Sequence, residues 1–474
     1  MSHRPYRIAN VTVVDPRDGA HTAHQDVHIT DGRITAVTAA ADHSDLDTVD
    51  GRARYIVPGF MDMHAHPLTL PDPRDTLALM LAFGITGYRQ MGGSPDLLKR
   101  RRTGRLDFGD RSPRLLALPG SLLTPLNAGT PEAAVAEAGR QARDGADFLK
   151  AALITPEVYF AVQEEATRLG IPVCGHLPAG IDVRAAATAG FRSIEHVGPG
   201  LGVLAGCSCH EKKILAATPD GSPIKLPPIA LPQLPFLEKM LLRLNKRILL
   251  NPAQRTSPAE LANLRHALDT FDQDRARELA QHFAVHGTWN CPTLIRIKAQ
   301  ELCADPAFAA DPDLRYVTPK ERTSWHRAAD AFAAKFDSTQ REIFAAQFDM
   351  QLRLVKIFAT EGVPLLAGTD AVGAAWVVPG ASLHDEFDLL ADAGLDPLRI
   401  LQSTTSDAAR FLGRENAAGT VEAGNDADLV LLDADPTAAV ANLHTVSGVV
   451  CRGIHYSDTD LAAIKDAAGT GGVG

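Results

Sequence analysis

His64 and His66 close a short apolar run, Val57-Pro58-Gly59-Phe60-Met61-Asp62-Met63-His64-Ala65-His66. In a strand, residues two apart point to the same side. Both imidazoles can therefore face one metal ion from the end of one strand. Alone, a His-x-His pair is weak evidence, because such pairs arise by chance. Here four further apolar stretches end in polar groups that a strand does not need. Asp147-Phe148-Leu149-Lys150 ends in a lysine, and Val173-Cys174-Gly175-His176 and Ser193-Ile194-Glu195-His196 end in histidines. Leu365-Leu366-Ala367-Gly368-Thr369-Asp370 ends in an aspartate.

Imidazole and carboxylate suit zinc and related divalent ions. A free ammonium would be repelled by such ions. Lys150 fits if CO2 converts its amine to a carbamate, a carboxylate able to bridge two metals. Two metals sharing one water lower its pKa and hold it as hydroxide. Asp370 is then a metal ligand and also the base that takes the proton during attack. Taken singly, each histidine is more often structural, Lys150 a solvated strand end, and Asp370 a helix cap. Their joint placement at strand ends carries the reading.

The elements that must position these groups alternate short apolar strands with helical patterns, which predicts βα units and a parallel sheet. Strands are expected near 55–63, 85–91, 114–119, 147–153, 171–176, 192–197, 288–294 and 363–369. Eight such units predict an α/β chain closed as a distorted (β/α)8 barrel, whose strand ends share one face. Two long insertions, at about 198–287 and 297–362, follow strand ends on that face. The first holds a Pro-rich piece, Pro223 to Pro235. The remainder reads as helix over Ser257 to His286 and Pro319 to Thr360, suited to a lid or a subunit contact. Residues 6–55 and 419–456 read as short strands, with a hairpin signal at Asp31-Gly32. Both ends are expected to pair into one small β-sandwich. The predicted units are 1–56 and 416–460 for the sandwich and 57–415 for the barrel. Residues 461–474 form a tail, Gly/Ala-rich and disordered from 467.

The net charge of −10 and an aromatic content of 5% disfavour binding to phosphate backbones, stacked bases or anionic membranes. Lys99-Arg100-Arg101-Arg102 reads as a solvated helix end. The first seven residues lack the apolar core of a signal peptide, and no apolar run reaches membrane-spanning length. Six scattered cysteines fit reduced thiols. A cytoplasmic location is expected.

With these motifs in view, the chain resembles the amidohydrolase superfamily, in the imidazolonepropionase-related branch with a carboxylated lysine. The resemblance rests on the Val57–His66 motif, Gly84-Ile85-Thr86-Gly87, Lys150, Gly175-His176-Leu177-Pro178, Ser193–His196, Gly368-Thr369-Asp370 and Ala427-Asp428-Leu429-Val430. It implies that His64, His66 and Asp370 hold one metal, that His176 and His196 hold a second, and that carbamylated Lys150 bridges them. It implies two divalent ions, expected as zinc, and a homo-oligomer. It also implies hydrolysis of amide or peptide-like C–N bonds in small substrates, such as Xaa-Pro dipeptides and N-acyl or N-aroyl amino acids of the ochratoxin kind. The alternatives are a mononuclear cyclic-amide or deaminase-type hydrolase, and a carbamate or phenylurea hydrolase. Where relatives often carry Arg-Asp-Met-Gly, this chain has Arg89-Gln90-Met91-Gly92.

Weaker candidates remain. Arg296 and Arg89 are candidates for gripping a substrate carboxylate, which a guanidinium forks onto well, or equally for ordinary ion pairs. His384 is expected in a loop over the site, shaping the pocket or capping a helix. Cys207-Ser208-Cys209-His210 lacks a second ligand pair at structural-zinc spacing and reads as reduced thiols, with a redox role left open.

Overall fold

The computed structural model describes residues 4–41, 45–198, 201–218 and 250–472. The Pro-rich piece expected at Pro223 to Pro235 lies outside the described residues.

The N-terminal end forms β1 (Tyr6–Val14), β2 (His21–Thr30), β3 (Arg33–Ala39), β4 (Asp47–Asp50) and β5 (Tyr55–Pro58). The β2–β3 hairpin turns at Asp31 and Gly32, with φ of 49° and 76°. Two successive positive φ values match the twist of paired strands, and Asp-Gly supplies them cheaply. The middle of the chain supplies β6 (Phe60–Ala65), β7 (Ile85–Gln90), β8 (Arg114–Ala117), β9 (Leu149–Ala151), β10 (Val173–Gly175), β11 (Ser193–Glu195) and β12 (Trp289–Cys291). The C-terminal end adds β13 (Leu429–Leu432), β14 (Val446–Cys451) and β15 (Ile454–Ser457).

As expected, the two ends pair. They share one sheet in the order β15-β14-β13-β5-β1-β2-β3, with β4 beside β1. β13 runs antiparallel to β5, Val430 opposite Val57, so the C-terminal end grips the strand that leads into the histidine motif. Ile8, Val11, Val27, Ile34, Ile56, Leu429 and Val450 form the apolar cluster on this sheet.

The middle strands are parallel and form two arcs, β6-β7-β8 and β9-β10-β11-β12. Seven of the eight expected central strands are present. The eighth, at 363–369, forms only isolated bridges, Leu365 with Asn290 and Ala371 with Ala65. It still hydrogen-bonds to β6: Met63 donates to the Ala367 carbonyl (2.9 Å), while Thr369 and Asp370 both donate to that of His64 (3.1 and 2.7 Å). Two donors on one carbonyl break the even spacing of a parallel ladder, which is why the segment is irregular. Leu123 donating to the Lys150 carbonyl (2.9 Å) links the other ends of the arcs.

The insertions are helical where described, over Pro258–Asp269, Gln273–Val285, Pro319–Lys335 and Ser338–Thr360. Phe308, Trp325, Phe332, Phe344 and Trp376 pack in one cluster beneath them. Lys99 to Arg102 form the last turn of a helix, Pro95–Arg102, where cations meet the negative end of the dipole. The C-terminal tail departs from expectation. Residues Asp458–Gly471 form a helix, with a capping box from Ser457 and Asp460. Leu461, Ile464 and Ala468 are buried at spacings of three and four, which places an apolar stripe against its neighbours. Gly and Ala enrichment hid that stripe. Among the described residues no helix is long and apolar enough to cross a membrane.

Candidate metal centre

β6 is buried along its whole length, and its polar residues are each held. Asp62 Oδ1 accepts from the backbone of His64 (3.1 Å) and of Thr369 (3.2 Å), while Oδ2 accepts from the Thr369 hydroxyl (2.7 Å). Burial pushes Asp62 up to about 6, against those hydrogen bonds. It clamps the irregular eighth segment onto β6, and so sets where Asp370 stands relative to His64 and His66.

One ligand atom each from His64, His66 and Asp370 lie within 4.8 Å of one another. Asp370 Oδ1 is 2.9 Å from His66 Nε2 and 3.2 Å from His64 Nε2. His64 Nε2 is buried and makes no other close polar contact among the described residues. The rings continue in a row, His64 to His196 at 4.6 Å and His196 to His176 at 5.1 Å between centroids. Lys150 pairs in register with Cys174 and lies 2 % exposed, its Nζ also without a partner. Gly175, at φ 129°, clears space for it: a Cβ there would stand 3.0 Å from Lys150 Cδ and 2.2 Å from the Ala151 carbonyl oxygen. The five predicted strand ends thus meet.

Electrostatics suit a metal. Burial first, then neighbouring positive groups, lower His176 to about 3 and push His196 well below its ordinary value. His66 is lowered by burial against the pull of Asp370. Neutral imidazoles keep a lone pair for coordination. Burial raises Asp370, but the imidazoles of His64, His66 and His196 outweigh it and hold the carboxyl well below the usual range. Burial lowers Lys150, and a neutral amine is the form that reacts with CO2. Imidazole nitrogens with free lone pairs, an ionised carboxylate and a lysine amine once carbamylated are the groups a divalent cation would satisfy.

Asp370, His196, Val197 and Thr293 all have positive φ, between 48° and 63°. Such backbone is uncommon in residues with a Cβ, and its clustering marks a functional region. His66 and Asp370 keep 18 % and 16 % of their side-chain surface, so solvent reaches this edge of the cluster.

The weaker candidates fare differently. Arg296 is here, its Nε 3.0 Å from Asp370 Oδ2. Arg89 is not a substrate anchor. It is fully buried, bound to both oxygens of Glu195 (2.9 and 3.0 Å) and to the Met63 carbonyl (2.5 Å), with Phe411 4.9 Å from its guanidinium. His384 is also corrected. It lies within the helix Ala381–Asp392, not in a loop, and its Nε2 is 2.8 Å from the Phe83 carbonyl among aromatic rings. Cys207 is buried, Cys209 is exposed, and His210 pairs with His266 (3.1 Å).

Glu195 and Thr293 were missed in the sequence. Glu195 Oε2 is 2.7 Å from His64 Nδ1, and Thr293 Oγ1 is 2.5 Å from His196 Nδ1. A glutamate inside an apolar strand was the available signal for the first. Thr293 gave none. A second trio, His64, Glu195 and Cys291, is compact, but Arg89 occupies Glu195 and burial keeps the Cys291 thiol protonated.

Residues 350–455 match the amidohydrolase family. No curated protein matches the sequence. Among solved structures, the chain is similar to a bottromycin amidohydrolase at 25% identity, covering 98% of this chain and 91% of that one with a TM-score of 0.70. A Xaa-Pro dipeptidase with methionine in its active site is 17% identical, over 96% of this chain and all of that one, TM-score 0.59. The ochratoxinase of A. niger is 15% identical over 96% of each chain, TM-score 0.59. For the last two the likeness is one of fold.

Proposed function

We propose that this chain, which belongs to the amidohydrolase superfamily and is an enzyme that hydrolyses C–N bonds, cleaves small amides at a binuclear metal centre. His64, His66 and Asp370 would hold one ion, His176 and His196 the other, and Lys150, as its carbamate, would bridge them. The observation that carries this reading is the convergence of His64, His66 and Asp370 with a buried, partnerless Lys150. Zinc held there would supply a water made nucleophilic at neutral pH and would polarise the acyl oxygen.

The chain's own residues do the rest. Asp370, ionised and partly exposed, takes the proton as the nucleophile attacks and returns it to the leaving nitrogen. Arg296 holds the far oxygen of that carboxylate, keeping Asp370 aimed. The apolar helical insertions favour small, partly apolar substrates. Xaa-Pro dipeptides and N-acyl or N-aroyl amino acids lead, supported by the amidohydrolase likeness and by the fold shared with a Xaa-Pro dipeptidase and an ochratoxinase. The frame is read as a distorted (β/α)8 barrel of about 57–415 closed by its irregular eighth strand, with a β-sandwich from 1–56 and 416–460. A cytoplasmic homo-oligomer completes the proposal.

One observation favours a mononuclear enzyme instead: among the described residues only His64, His66 and Asp370 form a compact ligand trio that Arg89 does not occupy. Metal content per subunit, measured beside a panel of dipeptides, N-acyl amino acids, aryl amides, carbamates and imidazolone-type rings, decides between them. Two ions with amide turnover are expected. One ion with ring opening or deamination alone would replace this reading with the mononuclear one.

A further inference from the structure

Imidazole binds metal only through a nitrogen that carries no proton, so a histidine ligand must hold the right tautomer. In this chain two of the four rings are met at Nδ1 by side chains whose own hydrogen bonds cast them as acceptors. Glu195 is fully buried, its oxygens taking Arg89 Nη2 at 2.9 and 3.0 Å and the Ser193 hydroxyl at 2.6 Å. A carboxylate so paired can only accept, so His64 Nδ1, 2.7 Å away, donates. The Thr293 hydroxyl has one proton, and it goes to the Pro292 carbonyl at 2.7 Å. That oxygen can then only accept from His196 Nδ1 at 2.5 Å.

We infer that Glu195 and Thr293 are positioning residues that fix Nδ1 of His64 and His196 as a protonated nitrogen before any metal arrives, so that both rings turn Nε2 to the centre for coordination. The inference rests on the reading of these two histidines as metal ligands. Both devices are anchored in the fold. Arg89 is fixed by the Met63 carbonyl, one residue before His64. Thr293 stands at the start of the helix Leu294–Glu301, whose Ile295 amide is bound by buried Glu386 at 2.8 Å. His64 Nε2, the ring's other nitrogen, faces Asp370 Oδ1 at 3.2 Å, on the side where the ion would sit. The two act through different chemistry, one a buried ion pair and the other a neutral hydroxyl, so they can be removed separately.

The test is zinc affinity of the full chain, read by competition with a chelator, together with imidazole ¹⁵N shifts of metal-free, histidine-labelled protein. Thr293→Val keeps shape and removes the acceptor. It should weaken zinc about 10- to 100-fold, and Thr293→Ser should restore wild-type affinity. Arg89→Met with Glu195→Leu removes the acceptor and both buried charges together, so no charge is stranded, and should weaken zinc to a similar degree. The wild-type spectrum should show protonated Nδ1 on both rings without metal. Wild-type zinc affinity in Thr293→Val, or rings averaging between tautomers in the wild type, would overturn the inference. His196→Ala separates this from the site itself. If that variant binds two zinc ions normally, the ligand reading has failed; if it loses zinc while Thr293→Val does not, only the tautomer inference has.

Discussion

At the scale of single residues, the division of labour between Lys150 and Asp370 is open to a direct experiment. Lys150 lies where an ammonium would be both desolvated and without a partner, which costs stability unless the group is neutral or modified. Lys150→Ala should therefore fold at least as well as the wild type yet lose metal and activity together, as metal analysis and a turnover assay would show. Normal metal content with full activity would remove its bridging role. Asp370→Asn keeps an oxygen for coordination but gives up the proposed base. It should retain most of its metal and lose 100-fold or more in kcat, about the range of general-base catalysis. Turnover near wild type would assign the proton transfer elsewhere. Both residues were legible in the sequence because a lysine and an aspartate at apolar strand ends have no structural need to be there. Glu195 was half legible, and Thr293 was not: a threonine after a proline looks like any turn residue until the chain folds it against His196.

At the scale of elements, the site is held from behind by the helix Ala381–Asp392. Its Glu386 is fully buried and accepts the Ile295 amide that begins the helix carrying Arg296. Burial raises Glu386 from its ordinary 4.5 to about 8, against the pull of the Ile295 and Leu294 amides. Between those values the native chain keeps a proton that the unfolded chain has released. The native state then binds more protons, so stability falls as pH rises through the window and levels off above about 8. Glu386→Gln carries no such proton and still offers an acceptor oxygen. Relative to it, wild type should lose up to about 1.4 kcal/mol per pH unit between 4.5 and 8. Denaturant unfolding of both proteins across that range reads the difference, with contributions from the shared imidazoles cancelling. Parallel stability curves would mean that Glu386 is ionised throughout. Seven of the eight central strands were readable from apolar runs between helical patterns. The eighth was readable as a segment but not as an irregular one, because its geometry follows from Asp62 and a shared His64 carbonyl, contacts far apart in sequence.

At the scale of the whole molecule, the chain's two ends are not appendages. β13 lies between β5 and β14, and Asp428, just before it, accepts the Arg452 amide (2.6 Å) and pairs with Arg114 at the start of β8. The Asp428 carbonyl also accepts from Gly59 (2.8 Å), immediately ahead of the strand that carries the histidines. This pairing joins sequence positions more than three hundred apart. Strand patterns at both ends made it legible as a shared sheet, while the salt bridge that fastens it to the parallel strands left no local trace. The tail was misread for a related reason, since Leu461, Ile464 and Ala468 gain a buried face only once the rest of the fold exists. If the fastening matters, Arg114→Met should strand a mostly buried carboxylate and cost on the order of 3 kcal/mol in denaturant unfolding. Arg114→Met with Asp428→Asn removes both charges and should recover much of that loss, because neither partner is then left unpaired. The single variant should also release metal at lower denaturant than the double, since β6 is the next element along. Equal stability of the two variants would mean that the apolar faces alone hold the ends to the site.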